Sequence, residues 1–114
     1  IQETKEWLKG HDIEVRGIAQ DDSLLGAAIL YLNRDGEIAF FVRYPFKGIG
    51  NRLLKIMELV GKERKIKKLW AWVLDENIAA KKTFLNNGYR LEGKSEKLFK
   101  DKIRKGVILS KKVT

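Results

Sequence analysis

Apolar and polar residues change their spacing several times along this chain, and each change marks an element. Ile13-Glu14-Val15-Arg16-Gly17-Ile18-Ala19 alternates, which predicts a strand with one wet face. Asp21-Asp22-Ser23 predicts a turn, and Leu24 to Leu32 is a dense apolar run, broken at Gly26, that predicts a buried strand. Asn33-Arg34-Asp35-Gly36 is a hairpin signal, because Asp-Gly supplies the positive φ of tight turns. Glu37 to Val42 returns as a third strand, so the first third reads as an antiparallel meander. Ahead of it, Thr4 to Lys9 predicts the end of a short helix, with Trp7 and Leu8 as its apolar contacts and Gly10 as its stop.

The period then lengthens. Ile49, Leu53, Ile56, Met57 and Val60 recur at helical spacing with Arg52, Lys55 and Glu58 between them, which predicts an amphipathic helix from about Gly48 to Lys65. Leu69 to Leu74 is a fully apolar strand. Asp75-Glu76-Asn77 offers caps for a second helix, Ile78 to Asn86, which Gly88 ends. Tyr89-Arg90-Leu91 starts another strand, Lys100-Asp101 makes a turn, and Gly106 to Leu109 is a final strand. The order α-β-β-β-α-β-α-β-β predicts one α+β domain over residues 1–114. Its sheet should be mixed and mostly antiparallel, with flanking helices.

Composition narrows the chemistry. With 114 residues, 44% hydrophobic and 34% charged, the chain can build one real core. No apolar run approaches the ~18 residues of a membrane span, and the first residues do not form a signal peptide, so no membrane partner is expected. The absence of Cys removes disulfides, thiolate metal sites and covalent cysteine catalysis, and is compatible with a cytoplasmic setting. His11 is the sole histidine, so no multi-histidine metal site can form and no metal is expected. The formal charge is +9, and residues 81–114 hold 11 Lys/Arg against 3 Asp/Glu. That excess suggests an anionic partner; the alternative is a lysine-rich solvated surface.

The most informative segment is Val42-Arg43-Tyr44-Pro45-Phe46-Lys47-Gly48-Ile49-Gly50-Asn51-Arg52. A strand ends, a loop carries Gly-x-Gly, and an amphipathic helix begins. Glycines let backbone approach a phosphate, and the helix start offers unpaired N–H groups at the positive end of its dipole. Lys47, Arg52 and Arg43 add charge there. It is neither a Rossmann fingerprint nor a Walker loop, since the glycine spacing and the Gly-Lys-Ser/Thr ending are both absent.

Two stretches resemble the GNAT superfamily of N-acetyltransferases. One runs from Phe41-Val42 through Gly48-Ile49-Gly50 to Leu53-Leu54 and resembles the acetyl-CoA pyrophosphate loop. The other, Asn77-Ile78-Ala79-Ala80 through Phe84 to Gly88-Tyr89, resembles the asparagine, alanine-pair, aromatic and Gly-aromatic pattern of that family. The ending, Glu92-Gly93 to Leu109, is similar to a branch of ribosomal-protein N-terminal, polyamine and nucleotide-amino-sugar acetyltransferases.

The resemblance implies acetyl-CoA as co-substrate, lying where the strands at 37–42 and 69–74 splay apart. Backbone groups of Phe41 and Val42 would pair with the pantetheine arm, and amides of Lys47, Gly48, Ile49, Gly50 and Asn51 would cradle the pyrophosphate, with Arg52 beside them. Asn77, Ala80 and Phe84 would line the other side. The alternative for Ala79 and Ala80 is plain core packing. The implied reaction is direct acetyl transfer to a primary amine in a ternary complex. Glu37 is the first candidate base, ahead of Glu92 and Glu96; the alternative for Glu37 is a solvated strand-edge carboxylate. Trp70 and Trp72 share a face, with core packing as the default and Trp72 also a candidate for the acceptor pocket.

Four departures stand out. Pro45 replaces a usual Arg or Gln. Phe84 replaces the Tyr that serves as acid, leaving Tyr89, Tyr44 or water. Ser95 and Gly106 stand where the branch has Arg and Asp. Finally, the family's opening strand and helix, on the order of 20–30 residues by typical element lengths, are expected to be missing. The acceptor is expected to be a small-molecule or peptide amine, favoured if anionic; a homodimer is allowed. Two alternatives remain: a silent acyl-CoA-binding domain, or a basic nucleic-acid-binding module using the tail, which lacks a base-stacking signature.

Overall fold

The computed structural model describes residues 2–9, 12–43 and 48–113. Its elements are β1 (Gln2–Lys9), β2 (Ile13–Gln20), β3 (Ser23–Tyr31), a 3-10 turn (Leu32–Arg34), β4 (Glu37–Val42), α1 (Ile49–Glu63), β5 (Lys68–Leu74), α2 (Ile78–Asn86), β6 (Arg90–Phe99) and β7 (Lys102–Lys112). The strands form one sheet in the order β1-β2-β3-β4-β5-β7-β6. Every pairing is antiparallel except β4 with β5. The mixed, mostly antiparallel α+β sheet is therefore as the hydrophobic pattern predicts. Among the described residues no helix is long and apolar enough to cross a membrane.

One element differs. The segment expected to be a helix end at Thr4 to Lys9 is the edge strand β1, with Thr4 opposite Ile18 and Glu6 opposite Arg16 on β2. A helix of one or two turns has too few hydrogen bonds to offset its nucleation cost. Beside it, β2 presents a row of backbone donors and acceptors that a neighbouring strand satisfies. The last strand is also longer than expected. It starts at Lys102, because Lys100 and Asp101 both take positive φ (50° and 63°) and close a tight hairpin.

Both helices lie on one face of the sheet. Ile49, Leu53, Leu54, Met57 and Val60 line the buried side of α1 and join Ile18, Leu30, Ile38, Leu69 and Ala71 in a single core. Polar ties fix the direction of α1. Buried Glu14 on β2 pairs with Arg16 at 2.9 Å and with Arg64, the C-cap of α1, at 2.8 Å. Midway along, Glu58 pairs with Lys111 of β7 at 2.6 Å. With its body and C-terminal end held, α1 points its N-terminus at the end of β4.

Candidate active site

Strands β4 and β5 pair at one position. Glu37 stands opposite Trp70, and the Trp70 N–H donates to the Gly36 carbonyl at 3.1 Å. Among the described residues no further pairing joins them, so the strands diverge toward Val42 and Leu74 and leave one edge of β4 open. Strand parity decides which groups face that opening. The Arg43 N–H donates to Leu25 on β3 at 2.9 Å, while the Gly36 carbonyl turns to β5. Backbone direction alternates along a strand. The Ile38 N–H belongs to the Glu37–Trp70 bridge; beyond it the N–H and C=O groups of Phe40 and Val42 aim at the opening, and those of Phe41 aim at β3. The Phe41 backbone, expected at the opening, is thus turned to β3 instead. Phe40, overlooked in the sequence, takes its place; alternation in β4 held the signal, but the direction needed the β3 register.

The open end leads to the start of α1. Gly48 is its N-cap at φ +89°, with no side-chain cap and no acidic residue in the first turn. The first-turn N–H groups of Ile49, Gly50 and Asn51 have no intrahelical partner, and Asn51 and Arg52 are exposed. The two glycines differ in purpose. A Cβ on Gly48 would meet nothing within 4 Å among the described residues, so glycine serves the left-handed conformation there. A Cβ on Gly50 would lie 3.1 Å from Thr83 Cγ2 and 3.3 Å from Phe40 Cε2, so that glycine serves the approach of α1 to α2. Arg43 is exposed. Lys47, like Tyr44, Pro45 and His11, lies outside the described residues.

On the other side, Asn77 caps α2 by accepting from the Ala80 N–H at 3.1 Å. Ala79 is exposed and Ala80 is half-buried against the core, so plain packing fits only the second alanine. Phe84 is buried between two aromatics, with ring centroids 5.3 Å from Phe40 and 4.9 Å from Tyr89. A further tie was invisible in the sequence. Asn87, after α2, donates to Asn51 Oδ1 at 2.6 Å and to the Thr83 carbonyl at 2.8 Å.

The acid–base candidates separate clearly. Glu37 sits at the paired point of β4 and β5, 8% exposed, with Arg34 at 3.3 Å and Lys97 at 3.8 Å. It is not the solvated edge carboxylate that its turn-proximal position suggested. Tyr89 is corrected as a proton donor. It is buried behind Phe84, and its hydroxyl has no partner among the described residues. Burial, and secondarily the charge of Glu58, pushes the phenol well above its ordinary value, so it holds its proton too firmly to give it. Glu92 is bound by Lys68 at 2.7 Å and by Ser110, which hold its carboxyl below the usual carboxylate value. It lies at the closed end of the cleft, beside the start of β5. Glu96 is exposed on β6. Trp70 donates its indole N–H to the Arg34 carbonyl at 2.9 Å. Trp72 lies against the Gly106 backbone and carries Lys97 over its ring, 4.7 Å from the centroid.

Known proteins share this fold. The sequence profile of the acetyltransferase (GNAT) family matches residues 2–89. No curated protein matches the chain by sequence. Among solved structures, a Salmonella typhimurium protein assigned as an acetyltransferase, solved with its cofactor acetyl-CoA, superposes with a TM-score of 0.79 at 12% identity. That match covers 90% of this chain and 65% of the Salmonella chain, so this chain spans just under two thirds of that relative. An N-acetyltransferase from Staphylococcus aureus gives 0.78 at 17% identity, over 90% and 68% of the two chains. A ribosomal-protein-alanine N-acetyltransferase from Brucella melitensis gives 0.75 at 19%, over 88% and 68%. The open β4 edge, the uncapped helix start and the matching profile together place the chain in the GNAT acetyltransferase family.

Proposed function

We propose that this domain binds acetyl-CoA along the open edge of β4 and passes the acetyl group directly to a primary amine. The single paired position of β4 with β5 carries the reading. It leaves unpaired strand backbone that runs to an uncapped helix N-terminus, which suits a donor with an amide-bearing arm and an anionic head. Backbone groups of Phe40 and Val42 pair with the arm. The first-turn N–H groups of Ile49, Gly50 and Asn51 beside Gly48, with charge from Arg52 and Lys47, hold the pyrophosphate. Asn77, Ala80 and Phe84 flank the arm from α2.

Acetyl-CoA supplies an activated thioester. The amine must lose a proton before it attacks, and Glu37 at the apex of the cleft is the base that takes it. No protein acid is required at the sulfur, because a thiol of pKa about 8.5 leaves readily as thiolate. With no cysteine in the chain, the acetyl group does not pass through a cysteine thioester.

The test is a thiol-release screen with acetyl-CoA against N-terminal peptides, polyamines and nucleotide-linked amino sugars. Amine-dependent release is expected. Gly48→Glu should raise the acetyl-CoA KM tenfold or more relative to Gly48→Ala, on the order of 1.4 kcal/mol of lost anion binding. Gly48→Ala carries the same backbone strain without the charge. Absence of acetyl-CoA binding at millimolar ligand would overturn the reading; binding without release to any amine would leave a silent acyl-CoA-binding domain.

A further inference from the structure

We propose that the ring face of Trp72 and the carboxylate of Glu37 form an ammonium subsite for the acceptor, and that Lys97 of this chain occupies it until an acceptor displaces it. The proposal rests on the acetyl-transfer reading for the word acceptor; the subsite itself rests on three strands. Lys97 Nζ lies 4.7 Å from the Trp72 ring centroid and 3.8 Å from Glu37 Oε2. A π face and a carboxylate are the two features that select a compact hydrogen-bonding cation.

The position is distinctive. Glu37 is the paired residue at the apex of the cleft, and Trp72 is the next residue of β5 on the face of Trp70, turned away from α1 and α2. The acceptor would thus arrive from the face opposite the donor-binding helices. Lys97 comes from β6, the far edge of the sheet, with β7 and β5 lying between β6 and β4. Three steps of ~4.8 Å separate the two strands, and the Lys97 and Glu37 side chains reach toward each other across them.

The indole is held for its ring. Its Nε1 is buried with no partner among the described residues, so hydrogen bonding does not explain its placement. Gly106 is the seat, since a Cβ there would meet the indole at 2.3 Å. The Lys97 side chain is 45% exposed while that of Glu37 is 11% exposed. The lysine can therefore swing into solvent without backbone change, and the carboxylate stays. Lys97 is itself a primary alkyl ammonium on an unbranched stem, and the ligand class it represents is the same.

The experiment titrates butylammonium chloride, without acetyl-CoA, into the wild type, Lys97→Met, Lys97→Gln and the double variant Lys97→Met with Glu37→Gln, following the indole N–H resonance of Trp72. Removing Lys97 should tighten butylammonium binding about tenfold, the scale of a partly desolvated cation–π and ion-pair contact. Glu37→Gln should abolish that gain, and tetramethylammonium, which meets the ring but cannot donate to the carboxylate, should show a smaller one. Lys97→Gln covers the case in which Lys97→Met does not fold, and thermal melts check both. Equal affinity in the wild type and the folded Lys97 variants, or a gain that survives Glu37→Gln, would sink the proposal. A chain that binds butylammonium but not acetyl-CoA keeps the subsite and loses the transferase reading; the opposite result separates them the other way.

Discussion

Gly106 and Ser95 face each other across β7 and β6, so the two positions that depart from the acetyltransferase branch are one cross-strand pair. The glycine has its reason in Trp72, whose indole fills the space where a side chain at 106 would stand. Gly106→Ala should therefore cost about 1–3 kcal/mol by overpacking, read as a lower urea midpoint together with a red shift of tryptophan emission. Tyr89 makes the opposite case. Its hydroxyl is buried without a partner among the described residues, so Tyr89→Phe should leave thiol release intact and change stability at neutral pH by no more than about 1 kcal/mol, in the stabilising direction. The phenol is raised above its ordinary value of 10.0 in the folded chain. Its contribution is thus fully present below that pH and is lost as pH climbs toward the folded value. Between pH 10 and 12 the wild type should lose more stability than Tyr89→Phe in parallel melts; equal losses would mean the phenol is not protected.

At the scale of elements, the site depends on how two helices meet. Gly50 lets α1 approach Thr83, and the Asn87–Asn51 bond ties the end of α2 to the first turn of α1. Lys111 donates to the Asn87 carbonyl at 2.7 Å and to Glu58, so β7 steadies the same corner. Asn87 touches no reacting atom in this scheme; it positions the anion-binding turn. Asn87→Ala should raise the acetyl-CoA KM several-fold with kcat nearly unchanged, and Asn87→Asp, which keeps the shape but loses the donor, should not rescue it. A fall in kcat alone would place Asn87 elsewhere in the mechanism. Both helices, and the caps at Gly48, Asn77 and Gly88, were legible in the sequence because period and capping are local. The Asn51–Asn87 tie was not, because it joins residues from different elements.

For the whole molecule, the charge that crowds the last third of the sequence is partly matched in space. Arg104 pairs with Glu76, Lys111 with Glu58 and Lys97 with Glu37, so carboxylates from earlier elements meet the basic hairpin and final strand. A formal +9 remains over the chain. A pyrophosphate held in that field should bind less tightly as salt shortens the Debye length from ~30 Å at 0.01 M to ~3 Å at 1 M. The acetyl-CoA KM should rise steadily across that range, and a flat response would place the phosphates away from the basic surface.

The sequence by itself determined the elements and the family. Local spacing of apolar residues, helix caps and turn residues set six of the seven strands and both helices, and two motifs with a strand between them pointed to an acetyltransferase. Tertiary structure decided the rest. It made β1 a strand, because an unpaired edge outweighs the weak helical preference of a short segment. It turned the backbone of Phe40 rather than Phe41 toward the cleft, because direction along a strand follows from its partner's register. It buried Tyr89, and it brought Lys97 to Trp72 and Glu37, because only folding sets side chains from three separate strands on one face of the sheet.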